Sequence, residues 1–420
     1  MKKKEILIYI LLSSLLIFPV YSDKSVIDGI AYQWLYLSFF NFFTFLFIVF
    51  ISKKGVIDII KSVIKNLYFY FYLIFLFLGS ISIYYTENVS LGIVDISRFY
   101  IIFSTIISIY VLLKLLKDKN LFFNYLSYIF LIFSSYEVLL VISPIFTKII
   151  TLTEIGRSTI LKGIAYNVNV TAFSLVIKLP FLFLLASSKS KVKIIWSLIL
   201  IFFFLISIFQ IQSRASFIAL LVVVIILSII KSFRKNFRLL IPIAGSIVFF
   251  VVSGLLDNFN QKRIVDTNFI LNQDQSTSSR LRYWSDATQT MLENPFSGIG
   301  MGSWKTYSIM LDKTKIQAYV IPYHVHNDFL QFGAELGVLG LLIYLGLFTL
   351  PLIYLIKIYG IQKKTIPIIL IACFFVIIID STFNFPRERA LIMSYYAMLV
   401  AGTFFIMSSD IVNKYETHHN

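Results

Sequence analysis

The feature that most constrains this chain is the recurrence of apolar runs about 18 to 23 residues long, the length that crosses the hydrocarbon core of a bilayer. They fall near residues 6 to 21, 34 to 52, 67 to 85, 99 to 116, 121 to 143, 168 to 187, 193 to 211, 214 to 230, 238 to 255, 334 to 357, 365 to 383 and 389 to 408. A soluble core cannot use so many such segments, whereas in lipid each one satisfies its own backbone as a helix. Composition agrees. Only 14% of residues are charged, where soluble chains carry about 25%, and 43 Phe with 25 Tyr suit helices that face lipid with rings near both interfaces. The expected fold is all-α: a polytopic membrane protein of about twelve transmembrane helices.

Orientation follows from Lys and Arg, which are retained on the cytoplasmic side of short loops. With the N-terminus inside, the cytoplasmic segments hold Lys2 to Lys4, then Lys53, Lys54, Lys61 and Lys65, then Lys114, Lys117 and Lys119. Further on they hold Lys189, Lys191 and Lys193, then Lys231, Arg234, Lys235 and Arg238, then Lys357, Lys363 and Lys364, and finally Lys414. These are more than half of the 37 basic residues, and the alternation never breaks. Both termini are therefore expected in the cytoplasm, and the net charge of +16 is accounted for by topology without a nucleic-acid partner. The start, Met1-Lys-Lys-Lys-Glu before an apolar run, resembles a signal peptide. No small-residue cleavage site follows in Tyr21-Ser-Asp-Lys, so an uncleaved first helix is expected.

One membrane domain, 1–420, is expected, with a long hydrophilic insert at 256–330 between the ninth and tenth helices. That loop faces outward. Within it Leu281 to Leu292 has helical character, with Thr277, Ser278 or Ser279 as cap, and Glu293-Asn-Pro-Phe-Ser-Gly-Ile-Gly-Met-Gly supplies turn residues. The single cysteine, Cys373, lies in an apolar run and reads as packing.

Of four histidines, His418 and His419 sit in the polar tail. His324 and His326, in Tyr323-His-Val-His-Asn-Asp, stand just before a helix enters the membrane, where an imidazole titrating near neutrality suits a general base or acid. Zinc wants three or four ligands, and beyond Asp328 the outer segments offer too few. Arg214 lies at the outer edge of a span, where a guanidinium either snorkels to headgroups or grips an anion such as a diphosphate. Arg280 stands four residues before Trp284, and Arg282 projects elsewhere from the same helix. Glu335 is either a buried carboxyl or an interfacial residue. Gly298, Gly300 and Gly302 allow a tight turn or a phosphate nest. Lys178, mid-span and before Pro180, either meets a lipid diphosphate or buries against a neighbouring helix.

Three ordered segments carry a resemblance. His326-Asn327, nine residues, then Gly337-Val-Leu-Gly340 resembles the signature of the O-antigen ligase and polymerase superfamily. Gln212-Ser-Arg-Ala-Ser-Phe is similar to that family's Ser-Arg-Gly/Ala helix start. Arg280-Leu-Arg-Tyr-Trp with Asn294-Pro-Phe-Ser-Gly-Ile-Gly is similar to its loop segment. The likeness covers about residues 205 to 345. Gly163-Ile-Ala-Tyr-Asn-Val-Asn only loosely echoes a further family segment, because Pro is missing between Asn167 and Asn169.

The resemblance implies a GT-C-like membrane glycosyltransferase that needs no cofactor and no metal. The donor would be a glycan on undecaprenyl diphosphate and the acceptor a lipid A-core or other glycan, with membrane lipid as surroundings. His326 would take the proton of the acceptor hydroxyl, Arg214 and Arg280 would bear on the diphosphate, and direct displacement would invert the anomeric carbon. Arg282, Asn327, Trp284 and His324 would contact substrate. The implied location is the bacterial inner membrane with the catalytic loop in the periplasm. A chain without a large extra C-terminal domain favours a lipopolysaccharide ligase over a protein-directed enzyme. A polymerase shares the motifs, and a lipid-linked glycan transporter is the reading from another class, set back because no internal repeat is visible and the charges cluster outside.

Overall fold

The computed structural model of the protein describes all residues except 1–2, 19–27, 52–54, 117–118, 149–162, 166, 212, 257–274, 312–322, 363 and 419–420. Among the described residues the regular elements are helical. They are α1 (Lys3–Ser14), α2 (Gly29–Ile51), α3 (Gly55–Ile64), α4 (Leu67–Ser82), α5 (Val89–Leu115), α6 (Lys119–Lys148), α7 (Val168–Ala186), α8 (Lys191–Ile211), α9 (Arg214–Leu227), α10 (Lys231–Arg234), α11 (Leu240–Leu256), α12 (Gln275–Glu293), α13 (Trp304–Leu311), α14 (Asp328–Gln362), α15 (Thr365–Phe383) and α16 (Ala390–His418). The protein is an all-α polytopic membrane protein. Nine helices among the described residues are long and apolar enough to cross a membrane.

Each expected run lies on a helix, but α1, α9 and α11, with 12, 14 and 17 residues, fall short of a full span. For α9 the limits are polar: Ser213 precedes it and Ser228 closes it. α5 differs the other way. It begins at Val89, well before residue 99, and takes Asp95 and Arg98 into its early turns; hydropathy alone cannot anticipate this, because the two charges, besides pairing with each other, are met by Lys305, Arg387 and Glu388 far along the chain. Asparagines set several helix starts, their side chains accepting from otherwise unpaired amides: Asn66 from Tyr68, Asn88 from Leu91, Asn167 from Asn169 and Val170, and Asn327 from Leu330.

Burial ranks the spans. Every residue of Ala390–Phe405 is buried, against 33% of the apolar stretch of α2, so α16 is central and α2 peripheral. An aromatic cluster of Tyr72, Phe75, Phe99, Phe332 and Tyr344 joins α4, α5 and α14. Lys178 is fully buried on α7, ion-paired with Glu137 of α6 and hydrogen-bonded to Ser174 at 2.9 Å, with Phe133 and Tyr395 rings beside it. Helix burial, not lipid contact, is its role. Cys373 packs in the core, its thiol toward the Ile177 carbonyl at 3.3 Å.

A small cavity lined by the last residues of α7, Leu227, Ile230 and Phe233 beyond α9, and Thr365 and Ile369 of α15 places those termini together. The opposite termini, Asn167, Arg214 and Phe383, therefore share the other end of the bundle. That end also holds the starts of α2, α5 and α14, since Trp34 donates to the Glu388 carbonyl at 3.0 Å and Gln33 to that of Ile164 at 2.9 Å. All the chemistry-bearing motifs meet there.

Candidate active site

The described part of the 256–330 segment comprises α12, a turn over 294–303, α13 and the stretch from Tyr323; residues 257–274 and 312–322 lie outside the described residues. The helix expected from Leu281 begins earlier, at Gln275, so Thr277 to Ser279 lie inside it rather than capping it. The turn is clamped onto the bundle. Ile299 and Gly300 donate to the carbonyls of Ala334 and Glu335 at 3.0 and 2.9 Å, Val338 donates to that of Pro295 at 2.8 Å, and Met301 donates to the Ser82 hydroxyl at 3.0 Å.

Two glycines make this possible. Gly298 has φ of +63° and sits so close to the Glu335 backbone that a side chain would collide with it. Gly337 has φ of +71°, breaks α14, and would meet the Pro295 carbonyl if it carried a Cβ. The paired Asn-Pro-x-x-Gly and Gly-x-x-Gly motifs are thus the two halves of one dock. Of the two readings of the glycine turn, the tight turn stands. The amides of residues 298 to 302 are engaged within the protein, so the turn offers no phosphate nest.

The dock fixes where His326 stands. Asn327 caps α14 with its side-chain oxygen and accepts from Gln331 through its carbonyl, at 3.1 and 3.0 Å, which gives this residue a structural task. One residue earlier, His326 has φ of +57°, the only positive φ outside glycine among the described residues. Such a conformation costs about 1 kcal/mol and marks a side chain aimed by its surroundings. Its ring lies parallel to Tyr283 of α12 at 6.5 Å and edge-on to Phe385 at 5.1 Å. Nδ1 is buried with no hydrogen-bond partner. Burial, and then the charge of Arg280, lower its pKa from the ordinary 6.5 to about 4. The imidazole is therefore neutral at physiological pH and free to accept a proton.

Phe385 is the hub that the sequence reading missed. His324 stacks on it at 4.1 Å and Arg389 lies over it at 5.7 Å. The segment Phe385-Pro-Arg-Glu-Arg joins α15 to α16 by one 3₁₀ turn and is buried throughout. Its Arg387 lies 3.6 Å from Asp95, 3.4 Å from Asp328 and 3.7 Å from Glu335. Burial works against that charge, but Glu335, Asp95, Glu388 and Asp328 outweigh it and raise the pKa. Glu388 pairs with Arg98 and lies 3.5 Å from Lys305 and 4.0 Å from His324 Nδ1. Burial alone would raise the Glu388 carboxyl; Arg98, Arg387, His324 and Lys305 together bring it well below the usual range. His324 is itself driven down to about 3, chiefly by burial.

The structure brings together His326, His324, Arg280, Tyr283 and, through Phe383 at 6.0 Å, Trp284. Arg282 packs over Tyr283 at 5.2 Å. Arg214 opens α9 at the same end of the bundle with an exposed side chain, on a helix that packs against α15. Glu335 resolves as fully buried, accepting from Gln331 at 3.1 Å and from the Trp304 amide at 3.4 Å. The signal that could have revealed the hub is charge density: three charged residues in a row between two apolar runs, in a chain otherwise sparing with them.

Residues 198–345 match the family model described as O-antigen ligase, a stretch that contains Arg214, Arg280 and His326. The chain is also similar to proteins named, provisionally, as polysaccharide ligases. One from Rickettsia conorii is 26% identical over 268 residues, 62% of this chain and 60% of the relative. One from Rickettsia typhi is 29% identical over 145 residues, 32% of this chain and 34% of the relative. One from Rickettsia bellii is 30% identical over 109 residues, 25% and 26% respectively. The matched regions thus span less than two thirds of these relatives. Over residues 198–345, the segment that carries the three motifs and builds the dock, the chain is similar to the O-antigen ligase family.

Proposed function

We propose that this protein is a glycosyltransferase of the ligase type, which moves a glycan from undecaprenyl diphosphate to a lipid A-core acceptor at the periplasmic face of the inner membrane. The reading is carried by one observation: His326, neutral by burial and held between Tyr283 and Phe385, lies within reach of the charge of Arg280. In the reaction the acceptor hydroxyl oxygen attacks the anomeric carbon and its proton passes to His326. The bond from that carbon to the diphosphate oxygen breaks, and the electron pair leaves with undecaprenyl diphosphate. Displacement from the opposite face inverts the anomeric carbon. Arg280 and Arg214 stabilise the charge that builds on the leaving diphosphate.

Electrostatics link binding to basicity. Arg280 contributes to the low pKa of His326, so an arriving diphosphate that neutralises Arg280 raises the basicity of the imidazole as the donor is seated. The positive-inside distribution supports the sidedness, because the end of the bundle with the histidines is the one with the fewer clustered lysines.

A strain lacking the protein and one carrying His326→Ala, with surface glycan resolved on a gel, test this. The ligase reading expects bare lipid A-core with lipid-linked polymer accumulating in both. Core capped by a single unit would transfer the assignment to a polymerase, which the shared motifs support as the second reading. Normal glycan in the His326→Ala strain would sink the general-base role.

A further inference from the structure

Arg389 is the charged group in the site region whose burial the rest of the protein does not explain. It is only 6% exposed, and its Nε and Nη1 atoms are buried with no hydrogen-bond partner. Four charged groups act on it through space: Glu388, Asp28 and Asp380 in its favour and Arg98 against it. None of the three carboxylates makes a hydrogen bond to those two nitrogens. Glu388 is held by Arg98, Lys305 and Arg387, and Asp380 accepts from the Asn384 amide group at 2.8 Å. A guanidinium stripped of water with two donors unanswered is costly. Such a group is retained where an anion completes it, because its fork then makes two charge-assisted bonds at once.

Position says which anion. The guanidinium lies over the Phe385 ring at 5.7 Å, and His326 meets the same ring edge-on at 5.1 Å. The unsatisfied fork and the base thus flank one aromatic ring, and a donor whose anomeric carbon stands at His326 would carry its diphosphate toward Arg389.

We infer that Arg389 is a diphosphate ligand of the donor site, acting beside Arg280, and that the buried segment between α15 and α16 exists in part to present it. The inference rests on the donor proposed above. Arg389 lies outside the 198–345 segment matched by the family model, so the site is completed by a helix start beyond that segment.

The test is binding, so it does not depend on turnover. The full chain in nanodiscs is titrated with undecaprenyl diphosphate, with undecaprenyl monophosphate and phosphatidylglycerol as the other anionic lipids. Arg389→Gln is expected to weaken the diphosphate at least tenfold, the monophosphate less and phosphatidylglycerol not at all, with thermal melting of the lipid-free protein unchanged. Arg389→Lys, which keeps the charge and lets the protein fold if the glutamine variant does not, is expected to recover part of the affinity but not the bidentate grip.

Equal diphosphate affinity in wild type and Arg389→Gln would overturn the inference and leave the donor assignment standing; no diphosphate binding by the wild type would overturn both. An equal loss for all three lipids would make Arg389 a headgroup contact and overturn it too. So would recovery of binding in Asp380→Asn with Arg389→Gln, since Arg389 would then be only the counter-ion of Asp380.

Discussion

Two polar regions lie on either side of the buried turn at 385–389, and they are built on opposite principles. Around Arg387 the charges are closed: Asp95, Asp328, Glu335 and Glu388 surround one guanidinium, with Arg98 and Lys305 balancing the outer carboxylates. Around Phe385 they are open: His326 Nδ1 and Arg389 Nε and Nη1 are buried without hydrogen-bond partners, whereas the likewise unbonded Arg387 Nε and Nη2 still face Asp328 and Glu388 at 3.4 and 3.9 Å. A closed network of this kind fixes geometry. An open one, in the same low-dielectric surroundings, is a site awaiting a charged partner. The contrast separates scaffold from chemistry more sharply than burial does, since both regions are buried.

Arg387→Gln should break the closed side most severely. It strands carboxylates from α5 and α14 without their shared cation, at a cost of about 3–5 kcal/mol, so thermal melting in detergent should fall steeply and transfer should vanish with the fold. His326→Ala attacks the open side alone: transfer in vitro should drop roughly 10²–10⁴-fold while melting stays near wild type. A parallel loss of stability would erase the distinction between the two regions.

The distinction also predicts a pH response. His326 and His324 stay neutral in the folded protein down to about 4 and about 3, but take up protons near 6.5 when unfolded. The unfolded chain therefore binds more protons between those limits, and stability should fall as pH drops below 6.5. For activity, kcat/KM should hold its acid limb near pH 4, and kcat with donor bound should lose activity at higher pH than that. Coincident limbs would deny any link between Arg280, donor and base.

Gly337→Ala should cost about 1–3 kcal/mol through the left-handed backbone it forbids, read as a lowered melting point with the loop dock loosened. The smallest effect is expected from Arg282→Ala, which removes a cation–π contact over Tyr283 worth about 0.5–1 kcal/mol, with transfer changed only a few-fold.

What could be read in the sequence was whatever has a local signature. Membrane helices declare themselves by length and hydropathy, and His326, Arg280 and the glycines of the dock through their likeness to the motifs of one family. Arg387 and Arg389 escaped because a short charged link between two apolar runs looks like any solvated turn; burial became visible only when Trp34, Arg98 and Phe385 were seen to enclose it. Asp95 and Glu137 were overlooked for the same reason. A charge inside a span is intelligible once its partner is known, and the partners here, Arg387 and Lys178, lie far along the chain. Asn327 also caps α14, and Glu335, weighed as buried or interfacial, resolves into the closed network.

The clamp between Pro295 to Met301 and α14 has a consequence in entropy. A free loop carrying Arg280 would lose conformational freedom each time a donor arrived, and the affinity for the glycan would be reduced by that loss. Here the amides of Ile299, Gly300 and Val338 already fasten the turn to the membrane frame. The ordering is settled when the protein folds, and the binding energy of the proposed glycan donor is left for holding the donor itself.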